Sequence, residues 1–264
     1  MIKTVLFDLD GTLLNTIDDL ADAGNWVCAQ HGWPTFTVEQ FKHMVGNGIP
    51  KLVERFSPEN ARTPEQLAAT LAEFTARYDA HKEDKTAPYP GIPELLERLE
   101  VGLLVLPDVE EDDPLRREIT ALAEEKGIET LFLAEDADVT FGESALRIYA
   151  PLGSGGANEE GLSVLCTAGD FDGLITGDMN DTVEKRLIKY GSLPDLELLV
   201  AGHHGSKYAT SEELLLATKP ELAVISVGYN TYGHPAPETL ERLAAAGCAI
   251  YRTDWSGTVT ITAK

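Results

Sequence analysis

The patterning of the chain changes near residue 100, and that change limits the folds open to it. Residues 1–100 hold one strand-like run, KTVLFD (3–8), and then long stretches with helical spacing. From 101 to 264, short apolar runs alternate with helical ones, the order expected of an α/β fold with a mixed sheet. In the first part, 15–31 carries Ile17, Leu20, Ala21, Ala23 and Val27 on one helical face. The stretch 63–81 opens with Thr63, Pro64 and Gln66, a capping box with proline at the first helical position, and repeats Leu67, Leu71, Phe74 and Tyr78. A turn, APYPG, leads into the short helix IPELLERLE.

In the second part, VGLLVLP (101–107) is a strand and 113–127 a helix closed by Gly127. Strands are expected at ETLFLA, SALRIYAP, LSVLCTA, FDGLITG, LELLVAG, LAVISVG, CAIYRTD and GTVTITA, with helices near 181–190, 211–218 and 236–247. With 43% apolar residues in 264, the chain can build one large core or two smaller ones. The seam is expected at Glu100/Val101, dividing 1–100 from 101–264 as two lobes.

Composition removes some function classes. The formal net charge is −23, so phosphate backbones and anionic lipid are repelled, and nucleic acid is a disfavoured partner. There is no run of 18 apolar residues, and MIKTVLFDLD does not read as a secretory leader, so neither a membrane span nor export is expected. Cys28, Cys166 and Cys248 are far apart and odd in number, which fits a reducing cytoplasm better than a disulfide framework.

VLFDLDGTLLNT (5–16) places Asp8 and Asp10 at the end of a buried strand, where α/β sheets bind ligands. Two residues apart on extended chain, both can face one site, and Gly11 allows a sharp turn. One carboxylate can attack phosphorus and the other can move protons. Thr12 can donate to a phosphoryl oxygen, and Mg²⁺ suits hard oxygen donors. The string resembles the first motif of the haloacid-dehalogenase (HAD) superfamily, and 15–85 is similar to its α-helical cap. VGNGIPKLVERF (45–56) and YPGIPELLERL (89–99) are similar to phosphoglycolate phosphatases in particular. The resemblance implies Asp8 as nucleophile, Asp10 as general acid and base, and Mg²⁺ on the Asp8 side chain and Asp10 carbonyl. It places Gly46, Asn47 and Gly48 near a small phosphorylated substrate.

The later histidines sit in motif-like strings. LITGD (174–178) ends a strand in Asp178, LELLVAGHHGS (196–206) ends the next at His203 and His204, and AVISVGYNTYGHP (223–235) brings His234 after a third. Three strands thus deliver an acid and imidazoles to one sheet edge, a donor set for Zn²⁺ or Mn²⁺. His31, His43 and His81 lie on helices and read as surface or cap residues, while Asn230 and Tyr232 could line the site or simply form a turn. Residues 101–264 resemble the metallo-β-lactamase-fold domain at the C-terminus of ComEC/Rec2 competence proteins, which act in DNA uptake. That resemblance implies Asp178, either His203 or His204, and His234 as metal or phosphate contacts.

Both resemblances are partial. After helix 93–100 the next strand ends without the Ser or Thr that binds phosphate in the phosphatases, and LITGDMND spaces its acids three apart rather than four. No HxH, HxD or DH string supplies the metal ligands that the metallo-β-lactamase fold carries in its first half. The expectation is therefore a fused, metal-dependent phosphoester hydrolase, with a catalytically inactive chimera or scaffold as the alternative.

Overall fold

A computed structural model describes residues 13–45, 49–98, 100–109, 114–154, 159–228 and 233–262. The expected strand 3–8 and the residues Asp8, Asp10, Thr12, Gly46, Asn47, Gly48, Asn230 and Tyr232 lie outside them. The described residues divide into two compact units, one ending at Glu100 and the other beginning at Val101.

The first unit runs β1 (Leu14–Asn15), α1 (Ile17–Gln30), α2 (Val38–Lys42), α3 (Ile49–Phe56), a 3-10 turn (Glu59–Ala61), α4 (Pro64–His81), β2 (Ala87–Pro88) and α5 (Ile92–Glu97). Helix α4 begins as its capping box requires: the Thr63 side chain accepts the Gln66 N–H, and the Gln66 side chain accepts the Thr63 N–H. A second such box, Thr37 with Gln40, starts α2. The apolar faces of α1, α3 and α4 meet on Val27, Cys28, Phe41, Phe56 and Phe74. Gly24 lets the Phe41 ring lie directly on the α1 backbone, where any Cβ would collide with it. Strands β1 and β2 pair antiparallel, Leu14 opposite Pro88. Asp19, 2% exposed, fastens the returning chain by accepting the Thr86 N–H at 2.7 Å and its hydroxyl at 2.8 Å.

The second unit begins with β3 (Leu103–Pro107), α6 (Pro114–Glu125) and β4 (Glu129–Leu133). β3 and β4 form a two-stranded parallel sheet, which needs the helical crossover between them. Val105 and Leu133 pack with Ile148 and Val164 of the larger sheet. That sheet is built from β5 (Ala137–Phe141), β6 (Ser144–Tyr149), β7 (Ser163–Ala168), β8 (Phe171–Ile175), α7 (Asp181–Tyr190), β9 (Leu198–Val200), a 3-10 turn (Gly202–Gly205), α8 (Glu212–Thr218), β10 (Leu222–Ile225), α9 (Pro237–Ala245), β11 (Ala249–Arg252) and α10 (Thr253–Ser256). Its order is β11-β10-β9-β8-β7-β6-β5. β5 to β8 form an antiparallel meander, and β8 to β11 run parallel through the crossovers α7, α8 and α9, so the sheet is mixed.

One strand is added and one expectation is corrected here. The segment ADVTF, not among the expected strands, is strand β5. GTVTITA, read as a strand from its alternating Thr, Val and Ile, forms no strand over its described residues. Strand propensity needs a neighbour to pair with. Among the described residues no helix is long and apolar enough to cross a membrane.

Candidate functional site

The parallel strands β8, β9 and β10 all end at one edge of the sheet, and the chain segments leaving them build a cluster of acid and imidazole groups. Beyond β8 come Gly177 (φ 62°) and Asp178; beyond β9 comes the turn Gly202–Gly205. The His203 N–H donates to the Gly177 carbonyl at 3.0 Å, tying the two strand ends together. His203 Nε2 lies 3.7 Å from an Asp178 carboxylate oxygen. The His203 and His234 rings stand 5.8 Å apart between centroids, inclined at 71°. His234 is only 8% exposed.

Three of the four expected residues are thus brought together: Asp178, His203 and His234. The His204 Nδ1 is committed to the Ser226 carbonyl oxygen at 2.8 Å, with its ring centroid 6.2 Å from that of His203. Among the described residues no three His, Cys, Asp or Glu side chains are grouped to hold a metal ion. The expected Zn²⁺ or Mn²⁺ set of Asp178, His203, His204 and His234 is corrected accordingly.

The turn itself is strained. His203 (φ 47°, ψ 50°) and His204 (φ 54°, ψ 25°) are both in left-handed backbone, which costs about 1–3 kcal/mol for each residue other than glycine. Gly205, at φ 80°, completes it, and a Cβ there would lie 2.6 Å from the Pro235 Cβ and 3.0 Å from its Cα. Gly205→Ala is therefore expected to lower stability by about 1–3 kcal/mol, the range for overpacking a filled site. Urea unfolding checks this, and an unchanged midpoint would contradict it.

Two residues that motif reading passed over hold the loop that follows this turn, at Ala209–Ser211. Glu184, on α7, is fully buried, and its carboxylate accepts the N–H groups of Thr210 at 2.5 Å and Ser211 at 2.8 Å. Arg242, on α9, donates to the carbonyls of Thr210 at 3.0 Å and Ala209 at 2.9 Å. The signal for Glu184 was present: it lies beside Val183 and one turn before Leu187 on the buried stripe of α7, where an acid is out of place unless it has partners. Burial pushes its carboxyl above the ordinary glutamate range, outweighing the hydrogen bonds from Ser211 and Thr210 that favour the ion. The folded state then holds this proton more tightly than the unfolded one. Stability supplied by protonated Glu184 is present at low pH and is lost as pH rises from the ordinary glutamate range through the raised folded value. Relative to Glu184→Gln, the native chain is expected to gain stability on acidification through that window, with a slope of up to about 1.4 kcal/mol per pH unit. Parallel urea titrations with pH would show a flat difference if the expectation is wrong.

Other reactive groups lie elsewhere. His31 pairs with Glu73 at 2.7 Å and stacks on Trp33, and His81 pairs with Asp84 at 2.8 Å. Cys28 is buried in the first unit's core, where desolvation pushes its thiol up to about 11, so it is no nucleophile at neutral pH.

Comparison with known proteins finds relatives of two kinds. Residues 5–106 match the haloacid dehalogenase-like hydrolase family. The phosphoglycolate phosphatase of Aliivibrio fischeri is 40% identical over 103 residues, 37% of this chain and 45% of that protein. Competence protein ComA of Neisseria gonorrhoeae is 44% identical over 86 residues, 32% of this chain and 12% of that protein. ComE operon protein 3 of Bacillus subtilis is 27% identical over 168 residues, 62% of this chain and 22% of that protein. In each case the match spans less than half of the relative. The stretch 5–106 is thus similar to haloacid dehalogenase-like hydrolases of the phosphoglycolate phosphatase kind, and the chain also carries likeness to competence proteins.

Proposed function

We propose that the chain is a phosphoester hydrolase that works by HAD-type chemistry in residues 1–100, joined at Glu100/Val101 to the back half of a ComEC-like, metallo-β-lactamase-fold hydrolase. The observation that carries this reading is the string VLFDLDGTLLNT, which lies inside the matched span 5–106. In it, an Asp8 oxygen attacks phosphorus, the bond to the leaving oxygen breaks, and Asp10 protonates that oxygen. Asp10 then takes a proton from water, and the resulting attack on phosphorus releases phosphate and restores the Asp8 carboxylate. Thr12 would hold a phosphoryl oxygen, and Gly46, Asn47 and Gly48 would border a small phosphorylated substrate such as a phosphoglycolate-like anion.

The donor set is all hard oxygen, the Asp8 carboxylate and the Asp10 carbonyl, which fits Mg²⁺. When bound, that ion screens the charge of the phosphoryl group. The second unit would contribute Asp178, His203 and His234 at one sheet edge, but its described residues do not fit a Zn²⁺ or Mn²⁺ centre, and no step is derived through one. The three free cysteines favour a cytoplasmic location, and the charge of −23 disfavours nucleic acid as substrate.

The test is phosphate release from phosphoglycolate and from p-nitrophenyl phosphate by the folded chain, with and without Mg²⁺. Mg²⁺-dependent release is expected, together with beryllofluoride capture at Asp8. No release above blank would overturn the reading. That outcome would leave a catalytically silent scaffold, favoured by the end of β3, where Pro107 and Asp108 stand in place of a phosphate-binding hydroxyl.

A further inference from the structure

Glu184 is an ionisable side chain with no exposure, and the phosphoryl chemistry above makes no use of it. A buried carboxylate needs hydrogen bonds to replace its lost water. Glu184 finds them on one short loop, the N–H groups of Thr210 and Ser211, at 2.5 and 2.8 Å. Capping α8 does not require this, because the Ser211 hydroxyl already accepts the Leu214 N–H at 3.2 Å.

Thr210 explains the extra fastening. Its backbone is left-handed, φ 54°, a conformation that a β-branched residue resists. In that conformation its hydroxyl accepts the Gly202 N–H at 3.0 Å. Gly202 immediately precedes His203. An unbroken path therefore runs from the Glu184 carboxylate, through Thr210, to the turn that presents His203. Arg242 closes the loop from α9 by donating to the Thr210 carbonyl at 3.0 Å. The loop's start is held too, since the Thr239 hydroxyl donates to the Ser206 carbonyl at 2.9 Å and the Ser206 N–H to the His203 carbonyl at 2.9 Å.

We propose that Glu184 is a positioning residue: it keeps Thr210 left-handed and, through the Thr210 hydroxyl, holds the strained His203–His204 turn that sets His203 against Asp178 and His234. Glu184 touches no reacting atom. Its importance rests on the reading of the Asp178, His203 and His234 cluster as the working site of the second unit. The fastening itself is measured without reference to any activity.

The experiment compares the full chain with Glu184→Gln and Thr210→Val by NMR amide exchange and backbone chemical shifts at one fixed pH. Gln keeps one acceptor oxygen but turns an NH₂ toward the second N–H. In Glu184→Gln, exchange at Thr210, Ser211 and Gly202 is expected to speed up at least tenfold, and the His203 and His204 backbone shifts to move. Amides of β7, such as that of Leu165, are expected to keep their protection. Thr210→Val removes only the hydroxyl, so Gly202 and both histidines are expected to change while Ser211 stays protected. Should Glu184→Gln fail to fold, Thr210→Val decides. Unchanged histidine shifts in Thr210→Val, or faster exchange at Thr210 and Ser211 with Gly202 and the histidines unaffected, would reduce Glu184 to a helix cap and overturn the proposal. Even acceleration across the whole sheet would show a general stability role and overturn it as well. A native chain that releases no phosphate would bear on Asp8 and Asp10 alone and leave these exchange results standing.

Discussion

Asp8→Asn is expected to lower phosphate release by about 10⁴-fold or more, because catalytic groups that act as a unit fail together. The substitution keeps the size of the side chain and removes its charge. An amide oxygen is a poor nucleophile toward phosphorus, and it no longer forms the acyl phosphate that divides the reaction into two easier steps. It also takes away the only charge in the two-oxygen donor set, so the dependence on Mg²⁺ disappears with the activity. Asp10→Asn isolates the other role: attack on phosphorus survives but the leaving oxygen goes unprotonated. Substrates with acidic leaving groups, such as p-nitrophenyl phosphate, should then keep more of their rate than phosphoglycolate does. Single-turnover release of the leaving group, p-nitrophenol or glycolate, checks both statements, because phosphate release also needs Asp10 to activate water. An Asp8→Asn protein retaining a tenth of the native rate would place the nucleophile elsewhere.

Leu199→Ala is expected to destabilise the second unit by about 2–5 kcal/mol, the range for emptying a filled core position. Leu199 has no exposed surface and sits on β9, in register with Leu174 of β8 and Ala223 of β10, both also fully buried. The middle of a parallel stretch crossed by helices cannot collapse to fill the space. Leu216, on the solvent side of α8 and 68% exposed, is the control: Leu216→Ala is expected to fall within about 0.5 kcal/mol of the native chain. The difference appears as a shift in urea midpoint with the slope unchanged, and equal shifts for the two variants would contradict the placement of the core.

Much of the local structure was legible because its causes are local. Thr63, Pro64 and Gln66 announce the start of α4 by groups within one turn, and the apolar spacing of Leu67, Leu71 and Phe74 gives its face. The alternation of strand and helix after residue 170 appears as β8, α7, β9, α8, β10, α9 and β11. What failed was tertiary in origin. GTVTITA has the composition of a strand and forms none over its described residues, while ADVTF, with one aspartate and one threonine in five, becomes β5 because β6 offers it an edge.

The same division runs through the candidate site. Strand ends at 175, 200 and 225 put Asp178, His203 and the segment reaching His234 on one sheet edge, and the order of motifs alone suggested it. Motif order could not say that His204 turns to the Ser226 carbonyl, nor that Glu184 and Arg242 reach from two helices to hold one loop. Residue chemistry and spacing, acting over a few positions, determined the helices, most strands and the Asp8–Asp10 and His203–His204 motifs. Which imidazole faces Asp178, and which buried acid bears on that turn, was decided only by tertiary structure. Those outcomes depend on hydrogen bonds between groups far apart in the chain, whose geometry exists only once the sheet has assembled.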